Sequence, residues 1–181
     1  MIDKKYQGHW RFLFLCLLGI GILISVTYLY SPKDNDTQTE NMSNFNFSLN
    51  FNTYGRDQID TYNGTFTKDL VLDGTNTIDF KLPDDIKKEV FSLMTEIDIM
   101  SFPEMLKVDG MAVTPSCDYK LTVTMNGKTK TIVWNEGFHP SMDVELPKEN
   151  MDFLRLVKLI SDYIYGTDAY KNMPKSNGGY D

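Results

Sequence analysis

The sequence predicts an α+β domain, a largely antiparallel sheet with two helices packed on one face, preceded by a single transmembrane helix. Three observations carry that reading. Residues 12–30 are predominantly apolar and carry no charge, the chain from Phe45 alternates with a period of two, and two later stretches switch to helical spacing.

Phe12 to Tyr30 holds no charged residue, no proline and no side-chain amide. Nineteen residues at ~1.5 Å rise reach about 28 Å, close to the ~30 Å hydrocarbon core. A helix satisfies its own backbone groups, as hydrocarbon demands. Lys4, Lys5 and Arg11 precede the span against one acid, Asp3, whereas Asp34, Asp36 and Glu40 follow it with Lys33. The Lys/Arg bias therefore keeps the N-terminus in the cytoplasm and sends the rest outside. A cleaved signal would want an Ala-x-Ala-like site, and Ser25-Val26-Thr27 is a poor one. An acylated cysteine would want a small residue before it, but Leu15 precedes Cys16. The segment reads as an uncleaved anchor.

The divisions that follow are 1–11 as a cytoplasmic N-terminus, 12–30 as the anchor, 31–44 as a flexible tether, 45–173 as the extracytoplasmic domain and 174–181 as a tail. The tether, SPKDNDTQTENMSN, is polar with no apolar period. Phe45, Phe47, Leu49 and Phe51 then alternate with polar residues, which is the mark of a strand with one buried face. Tyr54-Gly55-Arg56-Asp57 and Asn63-Gly64 are turn signals, and 66–72 and 77–82 read as strands parted by Asp73-Gly74.

After Leu82-Pro83 the period changes. Ile86, Val90, Leu93, Met94 and Ile97 share one helical face, with Asp84 and Asp85 in the first turn where the dipole favours acids. A loop rich in Met, Gly and Pro runs on to about Ser116. CDYKLTVTMNGKTKTIVW is a hairpin about Asn126-Gly127. A two-residue turn pairs Leu121 with Ile132, Tyr119 with Trp134 and Cys117 with Glu136, giving one apolar and one polar face. A last helix shows Phe153, Val157, Ile160 and Ile164 on one side, widened by Leu154 and Leu156, and Gly166 stops it. The tail KNMPKSNGGYD reads as polar and loosely ordered. Both halves run from strands through a Leu-Pro step to a helix. A duplication would explain that plan, but Leu-Pro commonly leads from strand to helix, which is the simpler account.

Composition excludes several functions. Of the 18 Lys and Arg, three precede the span; of the 25 Asp and Glu, only Asp3 does, so 15 face 24 beyond it, a net charge of about −9. Such a surface disfavours nucleic acid and anionic lipid. Cys117 is the single cysteine after the span, which excludes a disulfide-stapled scaffold. No phosphate loop, Cys-x-x-Cys, His-Glu-x-x-His or nucleophile elbow occurs, no metal site is assembled, and no cofactor is implied. Cys117 and His139 are the sole candidates for nucleophilic chemistry, with the ring taking the thiol proton. Cys117 nevertheless falls on the apolar face of the hairpin, where a small buried residue is expected. For binding, the loop aromatics Phe102 and Phe138, with Trp134 beside them, are the candidate anchors.

The run from LNFNTYGRDQIDTYNGTFTKDL through IDFKLPDDIKKEVFSLMTEIDIMSFPE and CDYKLTVTMNGKTKTIVW to MPKSNGGY resembles a family of uncharacterised extracytoplasmic or lipoprotein-like domains of Bacillus-type Gram-positive bacteria. The resemblance spans about Phe45 to Tyr180 and implies a cell-envelope setting. It implies no activity and transfers no functional residue.

The expected function is thus a membrane-anchored extracytoplasmic binding or interaction module, non-catalytic, held in the bilayer through residues 12–30 and facing an envelope protein. The alternatives are a Cys/His-dependent enzyme or a small-ligand sensor at the cell surface. If the orientation is right, carbonate washing leaves the chain in the membrane and protease added outside intact cells removes the domain. Recovery of an intact domain under conditions that digest other surface proteins would reverse the topology.

Overall fold

Four apolar side chains at every second residue, Phe45, Phe47, Leu49 and Phe51, seed the core, and all four are fully buried. Strand β1 (Asn46–Phe51) carries three of them on one face and turns Asn46, Ser48 and Asn50 to the other. The structure, a computed structural model, describes residue 42 and residues 44–107, 114–136 and 146–180. The predicted span at 12–30, most of the tether, and the stretches holding Phe138, His139, Met111 and Met142 lie outside the described residues. Among the described residues no helix is long and apolar enough to cross a membrane.

Six further strands follow: β2 (Asp57–Asp60), β3 (Thr65–Val71), β4 (Gly74–Asp79), β5 (Met105–Leu106), β6 (Cys117–Met125) and β7 (Lys128–Glu136). Three α-helices, α1 (Asp84–Glu96), α2 (Lys148–Gly166) and the single turn α3 (Asp168–Lys171), and a 3-10 turn at Ile99–Ser101 complete the described elements. The sheet is mixed and seven-stranded, in the order β4-β3-β2-β1-β6-β7-β5. Every neighbouring pair is antiparallel except β5 and β7, which run parallel. The α+β class is as expected, and the parallel edge pair is a departure. Met105 and Leu106 give too short a signal to read as a strand without their partner.

The hairpin register is the one expected. Leu121 lies opposite Ile132, Tyr119 opposite Trp134 and Cys117 opposite Glu136. Asn126 and Gly127 both take positive φ, 51° and 71°, as this two-residue turn requires. Register then carries the apolar face across strands, with Leu49 opposite both Ile59 of β2 and Leu121 of β6. Strand β2 escapes the sequence reading because Asp-Gln-Ile-Asp offers a single apolar residue.

Helix α1 buries Val90, Leu93 and Met94, and α2 buries Phe153, Leu156, Val157, Ile160 and Ile164. These side chains join the apolar face of the sheet in one core cluster. Trp134 packs at 5.4 Å from the Tyr119 ring and 6.1 Å from Phe153, the latter edge-on. Such aromatic contacts add about 0.5–1.5 kcal/mol each beyond area burial. The outer face of the sheet is a hydroxyl and amide surface. Thr67 meets Thr77 at 2.8 Å, Thr122 meets Thr131 at 3.1 Å and Thr124 meets Thr129 at 2.9 Å.

Trp134→Ala should destabilise the domain by about 3–5 kcal/mol, the usual cost of emptying an aromatic core site. Met105→Ala, at a residue 60% exposed, should stay within about 0.5 kcal/mol. Urea denaturation midpoints check both, and equal shifts would contradict the core position of Trp134.

Candidate functional site

Two places on the domain carry chemistry beyond packing. The first is a polar cleft at the end of the sheet where the β1–β2 connection, β3, α2, α3 and the tail converge. Asn52 (φ 66°) and Tyr54 (φ 55°) both adopt left-handed backbone, as does Gly55 between Tyr54 and Arg56. Only glycine does so without cost, so a tyrosine there marks a conformation enforced by its surroundings. Tyr54 is held by its amide, which donates to the Ser116 carbonyl at 3.0 Å.

That turn delivers Asp57, a carboxylate only 7% exposed. One oxygen accepts the Asp69 amide at 2.7 Å and the other accepts the Asn52 side-chain amide at 2.6 Å. Asn52 donates as well to the Tyr165 hydroxyl at 2.7 Å, tying the turn to α2. Burial pushes the Asp57 carboxyl up, and the two donated hydrogen bonds pull it part of the way back. Burial likewise pushes the Tyr165 phenol up to about 12.

The outer rim is built by the tail. Tyr180 donates its hydroxyl to the Asp69 carboxylate. Its ring lies 5.3 Å from the Arg56 guanidinium and 5.3 Å from Tyr54, edge-on. Lys68 donates to the Pro174 carbonyl at 2.9 Å while its ammonium sits 4.7 Å from the Tyr170 ring centre. The cleft so enclosed measures about 300 Å³ and is also lined by Cys117. Residues 174–180 are therefore docked, contrary to the expectation of a loosely ordered tail. Their binding groups are backbone atoms and one terminal aromatic, which no periodicity reports.

The second place is the edge of β7. Val133 donates its amide to the Glu104 carbonyl at 2.8 Å, so its backbone groups point away from β6. Thr131 and Thr129, two and four residues earlier, point the same way. Strand β5 reaches only Val133 and Trp134, so among the described residues no strand lies beside Thr129 and Thr131. A groove of about 750 Å³ runs along this edge, lined by Met100, Met105 and Val133 with Lys128, Lys130 and Glu104.

The residues singled out from sequence fall as follows. Cys117 is half-buried at the start of β6, on the polar cleft. His139 and Phe138 lie outside the described residues. Phe102 (4% exposed) and Trp134 (0%) belong to the core, not to a surface patch. Sequence reasoning gave no role in a site to Asp57, Asn52, Asp69 or Tyr180, although Asp57 closes a turn that it did identify. Among the described residues no group of three or more His, Cys, Asp or Glu is placed to hold a metal ion. Comparison with protein-family models and with characterised proteins finds no match.

The raised Tyr165 phenol sets a pH dependence. The neutral form is the one that the fold favours, so the native state keeps the proton after the unfolded chain has lost it. Stability should be unaffected below pH 10.0 and fall as the pH rises from there toward 12. Tyr165→Phe should flatten that alkaline limb, read as unfolding midpoint against pH. An unchanged limb would remove Tyr165 as its source.

Proposed function

We infer that the chain is a membrane-anchored extracytoplasmic interaction module, non-catalytic, whose edge strand β7 takes up an extended acidic segment of an envelope protein. The observation that carries this reading is the outward-facing backbone at Thr129 and Thr131 above the groove of Met100, Met105 and Val133. An extended peptide adds to such an edge through main-chain hydrogen bonds and reads the groove with alternate side chains. Charge selects the partner. Lys128 and Lys130 line this edge against one lining acid, Glu104, on a domain that is otherwise strongly acidic. Cations on an edge also discourage self-pairing, so the same lysines would favour an acidic strand over a second copy of the edge.

The setting rests on the apolar span at 12–30 with its flanking charges and on the resemblance to envelope domains of Gram-positive bacteria. The polar cleft supports a non-catalytic reading. Both oxygens of Asp57 are committed to hydrogen bonds that hold the turn, and Tyr165 stays protonated at neutral pH.

A photo-crosslinking residue at Thr129 or Thr131 of the full-length chain in its membrane tests the reading. The expected product is one envelope protein joined through an acidic segment, absent when the probe stands at Thr75 on the opposite edge strand. It should disappear in the double variant Lys128→Glu, Lys130→Glu. Equal labelling from both edges, or a product indifferent to the lysines, would defeat the assignment.

A further inference from the structure

Strand β2 has four residues, and its pairing with β3 ends at Thr67. The flank of β3 from Lys68 onward is thus left without a strand on that side. The Asp57 carboxylate takes the first vacant donor, the Asp69 amide. The tail takes the rest. Ser176 donates its hydroxyl to the Asp69 carbonyl at 2.7 Å. Asn177 donates its amide to the Leu70 carbonyl at 3.1 Å and accepts the Leu72 amide at 3.1 Å, a parallel bridge opposite Val71.

The remaining contacts are sequence-selective. Gly178 has φ 96°, a backbone conformation that side-chain-bearing residues rarely adopt, and a Cβ there would also press on the exposed Leu72 side chain at 2.9 Å, so glycine is selected. Tyr180 is read three ways, by the Asp69 carboxylate, the Arg56 guanidinium and the edge of Tyr54. Backbone pairing on an open strand, one steric filter and one aromatic anchor are the attributes of a peptide-binding groove. This groove happens to hold a segment of its own chain, joined through the buried Met173.

We propose that the flank of β3 beyond Thr67 is a recognition groove for the sequence Ser-Asn-Gly-Gly-Tyr, filled in cis by residues 176–180 and exchangeable with the tail of a second copy. A second copy is the occupant because its tail presents the same groups, including the glycine that the positive φ at position 178 demands. Reciprocal exchange about Asn172–Pro174 gives a two-fold dimer without any new contact surface.

The test uses the full chain in detergent micelles and a labelled peptide PKSNGGYD. Against the wild type the peptide competes with a tethered tail whose effective concentration is on the order of millimolar, so binding should appear only in that range. Tyr180→Ala loosens the tail and should lower half-saturation at least tenfold, whereas a peptide with Gly178→Val should bind neither chain. Wild-type dimers should form as concentration rises, disperse on adding excess peptide and be absent in the Gly178→Val chain. Hydrogen exchange at the Leu72 amide reports whether Tyr180→Ala has opened the flank. If that amide stays protected, Asn177→Pro, which removes the donor to Leu70, replaces it. An opened flank that ignores the peptide, or accepts the valine peptide equally, overturns the groove. A chain that stays monomeric at every concentration while its opened variant binds peptide overturns the second copy as occupant.

Discussion

The phase of β1 governs the rest of the domain. This strand is hydrogen-bonded on both sides, to β2 and to β6, and its odd-numbered residues from Phe45 to Phe51 are all fully buried. A slip of one residue would turn three phenylalanines and Leu49 to water and bring Asn46, Ser48 and Asn50 into the core. Because Leu49 fixes Ile59 and Leu121 as its lateral neighbours, the same phase is imposed on strands that come later in sequence. The helices then cover a face already defined. Their own exposed link, Arg155 to Glu96 at 2.9 and 3.1 Å, is of the kind worth at most about 1 kcal/mol.

Where β1 ends, the character of the structure changes from apolar packing to a polar network. Asn52 sits immediately after the last buried phenylalanine and reaches both Asp57 and Tyr165. A buried carboxylate is tolerable there because each oxygen is hydrogen-bonded. The arrangement makes one side-chain amide the junction of a strand, a turn and a helix. It also places the Asp69 backbone in a fixed position, from which β3 bends at its bulge and meets the tail.

Much of this was legible in the sequence wherever side-chain chemistry repeats. The alternation of β1, the Asn126-Gly127 hairpin with its register, and both long helices follow from periodicity and turn residues. Legibility fails where contacts are made by backbone or by single residues. Strand β2 shows one isoleucine among polar residues, β5 is defined by its partner, and the tail is held through Asn177 main-chain atoms. Trp134 and Phe102 look like surface anchors beside loop sequence, yet the sheet and helices close over them. The Asp57 network could not be read because its partners stand 5, 12 and 108 positions away along the chain, at Asn52, Asp69 and Tyr165. No local pattern links them.

The position of β1 has a mechanical meaning. It is the first described strand after residue 44 and also a central strand of the sheet. Tension applied to the chain ahead of Phe45 is therefore borne along the strand axis, by ladder hydrogen bonds on two flanks at once. A domain attached instead through an edge strand would be peeled open one bond at a time. Here the bonds to β2 and β6 must shear together, so a pull on the chain ahead of Phe45 is resisted by two ladders rather than one.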